Sequence, residues 1–171
     1  MEYGILLLRV VVGLLVAAHG TRRLFGWFGG RGRTGTAEYF ASLGYRAPQA
    51  AWVVAGVAEL AGGLLFALGL LTPLAALLVA VVALNAIAVA RWRSGLFVSR
   101  GGFELDLVLV TVVTAVTVSG PGRVSLDRLL GWDERWTGVE WGAGMLTVAI
   151  LLAFFAATLG RARPDATGLP A

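Results

Sequence analysis

Seven side chains in this sequence could do chemistry where most of their neighbours could not: Arg9, His19, Arg23, Glu59, Asn85, Glu104 and Asp106. Glu59 stands in the middle of an apolar run, 50–71, long enough to cross a bilayer. An ionisable group is costly in hydrocarbon, so such a residue faces protein or a polar cavity and marks a proton, ion or substrate site. Arg9 and His19 interrupt the first apolar run in the same way, and Asn85 interrupts the third. Glu104 and Asp106 stand two apart at the start of the fourth, where carboxylates suit the helix dipole. Counting helix rise from the run ends puts His19, Glu59 and Asn85 roughly 18–23 Å deep, with Asp106 about one turn from the same boundary. Four segments thus offer polar groups to one layer. Arg9 lies roughly 8 Å from the opposite boundary, from which an extended Arg9 and an extended Glu59 could meet, either as a buried ion pair that fixes packing or in a polar cavity for a proton, quinone head group or small substrate.

The elements that must position these groups are membrane helices. Of 171 residues, 58% are hydrophobic and 14% charged, and the mean hydropathy is +0.82. A soluble domain is about one quarter charged; this chain has too little polar surface to cover itself in water. Five runs, about 4–24, 50–71, 73–91, 103–119 and 139–159, approach the roughly 17–25 residues a spanning helix needs. The first carries Glu2 rather than a basic start, is split by Arg9 and lacks a small-residue cleavage site, so it reads as retained. The fold class expected is all-α, a membrane helical bundle.

Between the runs, Thr36 is placed to cap a short surface helix carrying Tyr39, Phe40 and Leu43 on one side, an interfacial element or a substrate lid. Thr72-Pro73 reads as a tight turn, and Ser125 to Trp136 as a second surface helix. Trp132, Trp136 and Trp141 suit an interfacial belt. Gly13 and Gly20 share the Arg9 side of the first helix; Gly56, Gly62 and Gly63 share the Glu59 side of the second. Small residues allow close helix approach, so the charged faces are also contact faces.

The formal charge is +4, with fourteen arginines and no lysine. The arginines lie at run ends, which points to topology and lipid head groups rather than nucleic acid. Ten fall on one side (Arg22, Arg23, Arg31, Arg33, Arg46, Arg91, Arg93, Arg100, Arg161, Arg163) and three on the other (Arg123, Arg128, Arg135). A multi-pass cell-membrane protein with its N-terminus outside and C-terminus cytoplasmic is the expectation. There is no Cys and a single His. This excludes thiolate-held clusters and a bis-His haem within one protomer, and no metal-ligand spacing stands out. No nucleophile–base pair or cofactor motif assigns the chain a reaction of its own.

Several stretches in order resemble the DoxX family: Leu8-Arg9 through Gly13 to His19-Gly20, Arg23 to Gly26, Gly35 to Phe40, Ser42 to Gly44, Glu59 to Gly63, Gly69 to Pro73, Gly101 to Leu105, and Gly120 to Asp127. The resemblance covers about residues 5–127 and implies a four-helix membrane core, with Arg9, His19, Arg23, Glu59 and Glu104 as the family's polar positions. Relatives include DoxD-type subunits of a thiosulfate:quinone oxidoreductase and membrane partners of oxidative-stress enzymes. Arg23 stands where the family often has Lys, a change of geometry at constant charge. The organisation expected is a core over 1–127, a surface helix and an extra transmembrane helix over 128–160 that could dock another subunit, and a short disordered tail over 161–171.

Three functions compete on this reading. The first is an accessory or anchoring subunit of a redox complex, with no intrinsic cofactor, quinone as candidate ligand, the bilayer and a redox protein as partners, and a homo-oligomer as one assembly. The second is a small proton-coupled transporter using Glu59, His19 and Asp106. The third is a structural interaction protein whose polar groups only order the bundle.

Overall fold

The computed structural model describes residues 2–161, which form a helical bundle. Its helices are α1 (Glu2–Phe25), α2 (Gly32–Ser42), α3 (Pro48–Leu68), α4 (Thr72–Ala86), α5 (Glu104–Ser119), α6 (Leu126–Leu129) and α7 (Val139–Leu159). Beyond Ala86, α4 continues through a π-helical turn, Ile87–Arg91, and a short 3-10 turn to Ser94. By length and composition four helices can cross a membrane: Tyr3–Phe25, Pro48–Leu68, Thr72–Ser94 and Val139–Leu159. The fourth apolar run yields α5, whose 16 residues span roughly 24 Å, less than the roughly 30 Å of a bilayer core. Glycines clip it at both ends, Gly101-Gly102 before and Gly120 after.

α4 is the hub. It packs against α3, α5 and α7, and its Ala75, Ala76 and Ala80 are fully buried. The run 139–159 is therefore no appendage: α7 lies against α4 and α5, burying Gly142, Met145, Ala149 and Ala153 while Phe154 and Phe155 face outward. α1 pairs with α3 along a seam of small residues. A Cβ on Gly13 would sit 2.5 Å from the Gly63 carbonyl oxygen, and one on Gly20 would sit 2.5 Å from the Leu60 nitrogen. Only glycine allows backbones this close.

Two surface segments differ from the sequence expectation. α2 starts at Gly32, so Thr36 lies buried inside it and caps nothing. The stretch from Ser125 forms one helical turn, with the Ser125 Oγ accepting from the Arg128 N–H; Gly131, at positive φ, then breaks it. Trp132 and Trp136 still pack together, with ring centroids 5.1 Å apart. Of the tail expected over 161–171, only Arg161 falls among the described residues, where it pairs with Tyr45 in an isolated β-bridge.

The N-terminal end of the bundle, where α1 begins and α3 turns into α4, is held by Asp127. Its buried carboxylate accepts from the Leu71 N–H (2.7 Å), the Thr72 N–H (2.9 Å) and the Thr72 hydroxyl (2.6 Å). It thus caps α4 from 55 residues away, while its own N–H donates to the Gly69 carbonyl. Asp127→Ala strips three donors of their acceptor. A loss of about 2–3 kcal/mol is expected, read as a lower thermal midpoint in detergent; Asp127→Asn, which keeps an acceptor oxygen, should lose less. Equal midpoints for wild type and Asp127→Ala would show the cap to be dispensable.

Candidate functional site

At the opposite, C-terminal end, polar side chains from several helices meet in one layer. Arg23 comes from the last turn of α1 and Glu59 from the middle of α3, and Arg23 Nε lies 2.8 Å from Glu59 Oε2. The N–H is poorly aimed, so the contact is an ion pair without a well-formed hydrogen bond. Glu59 also lies in the field of His19, Asp106 and Arg91. The Arg23 guanidinium rests over the Phe40 ring of α2 at 5.9 Å. Across the bundle, Arg91 Nη1 donates to Asp106 Oδ2 at 2.7 Å, joining the end of the π-helical turn to α5. Such turns add a residue to the helical repeat and cluster at functional sites.

A third contact ties the layer together. The Tyr45 hydroxyl, from the link between α2 and α3, donates to Asn85 Oδ1 at 2.5 Å. Asn85 Nδ2 in turn donates to the Ala153 carbonyl of α7 at 3.4 Å. Burial pushes the Tyr45 hydroxyl above its ordinary pKa, so it stays protonated and donating throughout the physiological range. The same end is closed by the start of the tail: Arg161 Nε donates to the Leu43 carbonyl, and Arg46 Nε to the Arg161 carbonyl.

These groups edge a cavity of about 620 Å³ between α2, α3, α4 and α7. Its size comes from small residues, among them Ala51, Ala55, Ala86, Ala90 and Ala156. Its polar edge is Arg23, Tyr45, Arg46, Asn85 and Arg91. Val54 and Phe155 also line it and are largely exposed on the bundle's outer surface. The volume falls in the range of small-molecule sites, and an apolar wall with a few convergent polar groups is their usual composition.

The structure sorts the seven sequence candidates. Arg23 and Asn85 line the cavity; Glu59 and Asp106 sit behind it, each holding one lining arginine. His19 is exposed, its Nδ1 2.9 Å from the Leu15 carbonyl oxygen, and does not line the cavity. The buried stripe of α1 is Arg9, Gly13, Val16, Ala17 and Gly20, and His19 falls one position off it. Glu104 accepts from the Val98 N–H and orders the preceding loop. Arg9 does not meet Glu59. It lies at the other end beside Gly69, ten residues and roughly 15 Å of helix from Glu59, and donates instead to the Val124 carbonyl. Tyr45, Phe40 and Arg91 escaped the sequence reading as site residues. Arg91 counted there only as a topology charge; the unsatisfied amide of Asn85 in an apolar run was the one signal that a partner such as Tyr45 had to exist.

Among the described residues, no group of three or more His, Cys, Asp or Glu could hold a metal ion. An antiparallel bundle of apolar helices enclosing a polar layer defines an integral membrane protein. The DoxX family model matches residues 4–92, which carry α1 through α4 and the Arg23–Glu59 pair. The chain is also 32% identical over 118 residues to the "Putative oxidoreductase CatD" of Bacillus subtilis (strain 168), spanning 69% of this chain and 81% of the relative. The protein belongs to the DoxX family. No solved structure matches it.

Proposed function

We propose that this chain is the membrane subunit of a redox complex and that the cavity at its C-terminal end binds the head group of a lipophilic quinone. The observation that carries this reading is the cavity itself: an alanine-rich slot reaching the lipid-facing surface, edged by Arg23, Asn85 and Arg91. A quinone ring fills an apolar slot, and its carbonyl oxygens take hydrogen bonds from guanidinium and amide N–H groups. Glu59 and Asp106 fix the two arginines and keep the local charge balanced. The relative's printed name, an oxidoreductase, supports the redox assignment. In this role electrons come from a separate oxidoreductase docked on the bundle, and the arginine-rich C-terminal end faces the cytoplasm, with the N-terminus outside.

A proton-coupled carrier has less support. Its substrate path would have to pass the bundle middle, which is filled by buried Val16, Phe66, Ala76, Val79 and Val113. The experiment that separates the readings is a gentle-detergent pull-down of the tagged protein from its native membrane, with mass spectrometry of proteins and quinones. A stoichiometric oxidoreductase or bound quinone is expected. A clean homo-oligomer carrying neither would overturn the proposal.

A further inference from the structure

We infer that the opposite, N-terminal end of the bundle holds a second site, which takes the phosphate of an anionic membrane phospholipid on Arg9. Arg9 has no exposed surface, 0%, and among the described residues only one of its guanidinium nitrogens is used: Nη2 donates to the Val124 carbonyl, while Nε and Nη1 have no hydrogen-bond partner there. Among the described residues no carboxylate forms an ion pair with it; Asp127, the acid whose charge reaches it, is fully engaged with Leu71 and Thr72. A buried guanidinium with idle N–H groups is costly. The fold nevertheless makes room for it. Gly69, in the left-handed conformation at φ +62, passes so close to the guanidinium that any Cβ there would collide with it.

Arg9 lines a cavity of about 700 Å³ bounded by α1, the end of α3 and the α6 region. Arg123, Arg128 and Ser125 lie on the same cavity, whereas the rest of its wall is apolar, with Leu6, Val10, Leu68 and Leu129. Arg128 is exposed and already bridges Asp133 and Glu134, so it adds field rather than a free donor. The ligand that matches this lining has a compact anionic head with several acceptor oxygens and an apolar body. The guanidinium is covered in this structure, so the lining must part first; a phosphodiester then meets the idle Nε–H and Nη1–H as a two-point acceptor. Its acyl chains would lie along Leu6, Val10 and Leu68 toward the bilayer. The site sits at helix ends, beside the α3–α4 turn, the level at which lipid phosphates lie when the spanning helices match the membrane. A free oxyanion shares the head chemistry but leaves the apolar wall uncovered.

Native mass spectrometry of the full-length protein, with thermal unfolding in detergent, tests this using phosphatidylglycerol, phosphatidylcholine and inorganic phosphate as probes. Phosphatidylglycerol is expected to stay bound and raise the midpoint, phosphatidylcholine less so, and inorganic phosphate not at all. Arg9→Gln should weaken phosphatidylglycerol retention by about tenfold or more, the scale of losing charge-assisted hydrogen bonds. Because Arg9→Gln also removes the bond to Val124, Leu129→Glu is the second variant. Leu129 is 80% exposed, so a carboxylate there leaves the fold intact and repels an anion from the cavity. Equal phosphatidylglycerol retention by wild type and Leu129→Glu would overturn the site. Equal stabilisation by inorganic phosphate would overturn the assignment to lipid.

Discussion

Arg23→Met should be among the most damaging single substitutions in this protein, and Glu59→Gln should rescue it. Removing the arginine leaves the Glu59 carboxylate almost fully buried without its ion-pair partner. Breaking a buried pair from one side costs about 3–5 kcal/mol, because an uncompensated charge remains. Arg23 is itself partly exposed, which places the expected loss toward the lower figure. For a chain of this size that corresponds to a thermal midpoint lower by roughly 6–12 °C. In the double variant no charge is left stranded, and much of the loss should return. The cycle of wild type, two singles and double, followed by thermal unfolding in detergent, isolates the coupling. Additive effects would mean that the 2.8 Å contact carries no energy and that Glu59 is compensated elsewhere, with Arg91 the remaining arginine in its field.

The second large effect concerns ligand retention rather than stability. Ala51→Phe adds a ring inside the alanine-rich slot, and Asn85→Leu removes its amide. If the cavity holds a quinone, each variant should lose at least about tenfold in quinone co-purified per protein, since filling or stripping a pocket costs more than about 1.4 kcal/mol. The two variants fail differently. Ala51→Phe leaves the polar edge untouched; Asn85→Leu also frees the Tyr45 hydroxyl from its acceptor. Tyr45→Phe with Asn85→Leu removes both partners, so any stability lost in the single should partly return while binding stays lost. Unchanged quinone content in Ala51→Phe would remove this cavity from the redox proposal and leave the Arg23–Glu59 and Arg91–Asp106 pairs as architecture.

The helices were legible because the bilayer demands long apolar runs, and the boundaries of α1, α3 and α7 follow the runs that composition marks out. Helix rise put Arg9 toward the boundary opposite the Glu59 layer, and it does lie at that end; the reach across to Glu59 is what the structure lacks, because Glu59 pairs with Arg23. Helix rise gives height but not the offset between neighbouring helices; α1 starts higher than the α3–α4 turn, so Arg9 lands beside Gly69. Loop residues were the blind spot. Tyr45 is 40 residues from Asn85 in sequence, and Asp127 is 55 from Thr72; no periodicity links positions so far apart. Ser125 to Trp136 read as one helix because its leucines recur at helical spacing, but Gly131 in the left-handed region ended it after one turn.

The Asp127 cap also sets a clock on biogenesis. α1 and α3 can zip along their glycine seam as soon as both are made, since everything that seam needs lies before Leu68. The corner that follows cannot close so early. At about 5–20 residues per second, the 55 residues between Thr72 and Asp127 take several seconds to synthesise. For that interval the first amides of α4 depend on water or the insertion machinery for their acceptors. α4, which packs against α3, α5 and α7, is therefore secured at its N-terminal end only when the segment after α5 arrives, so the bundle closes late and from its far end.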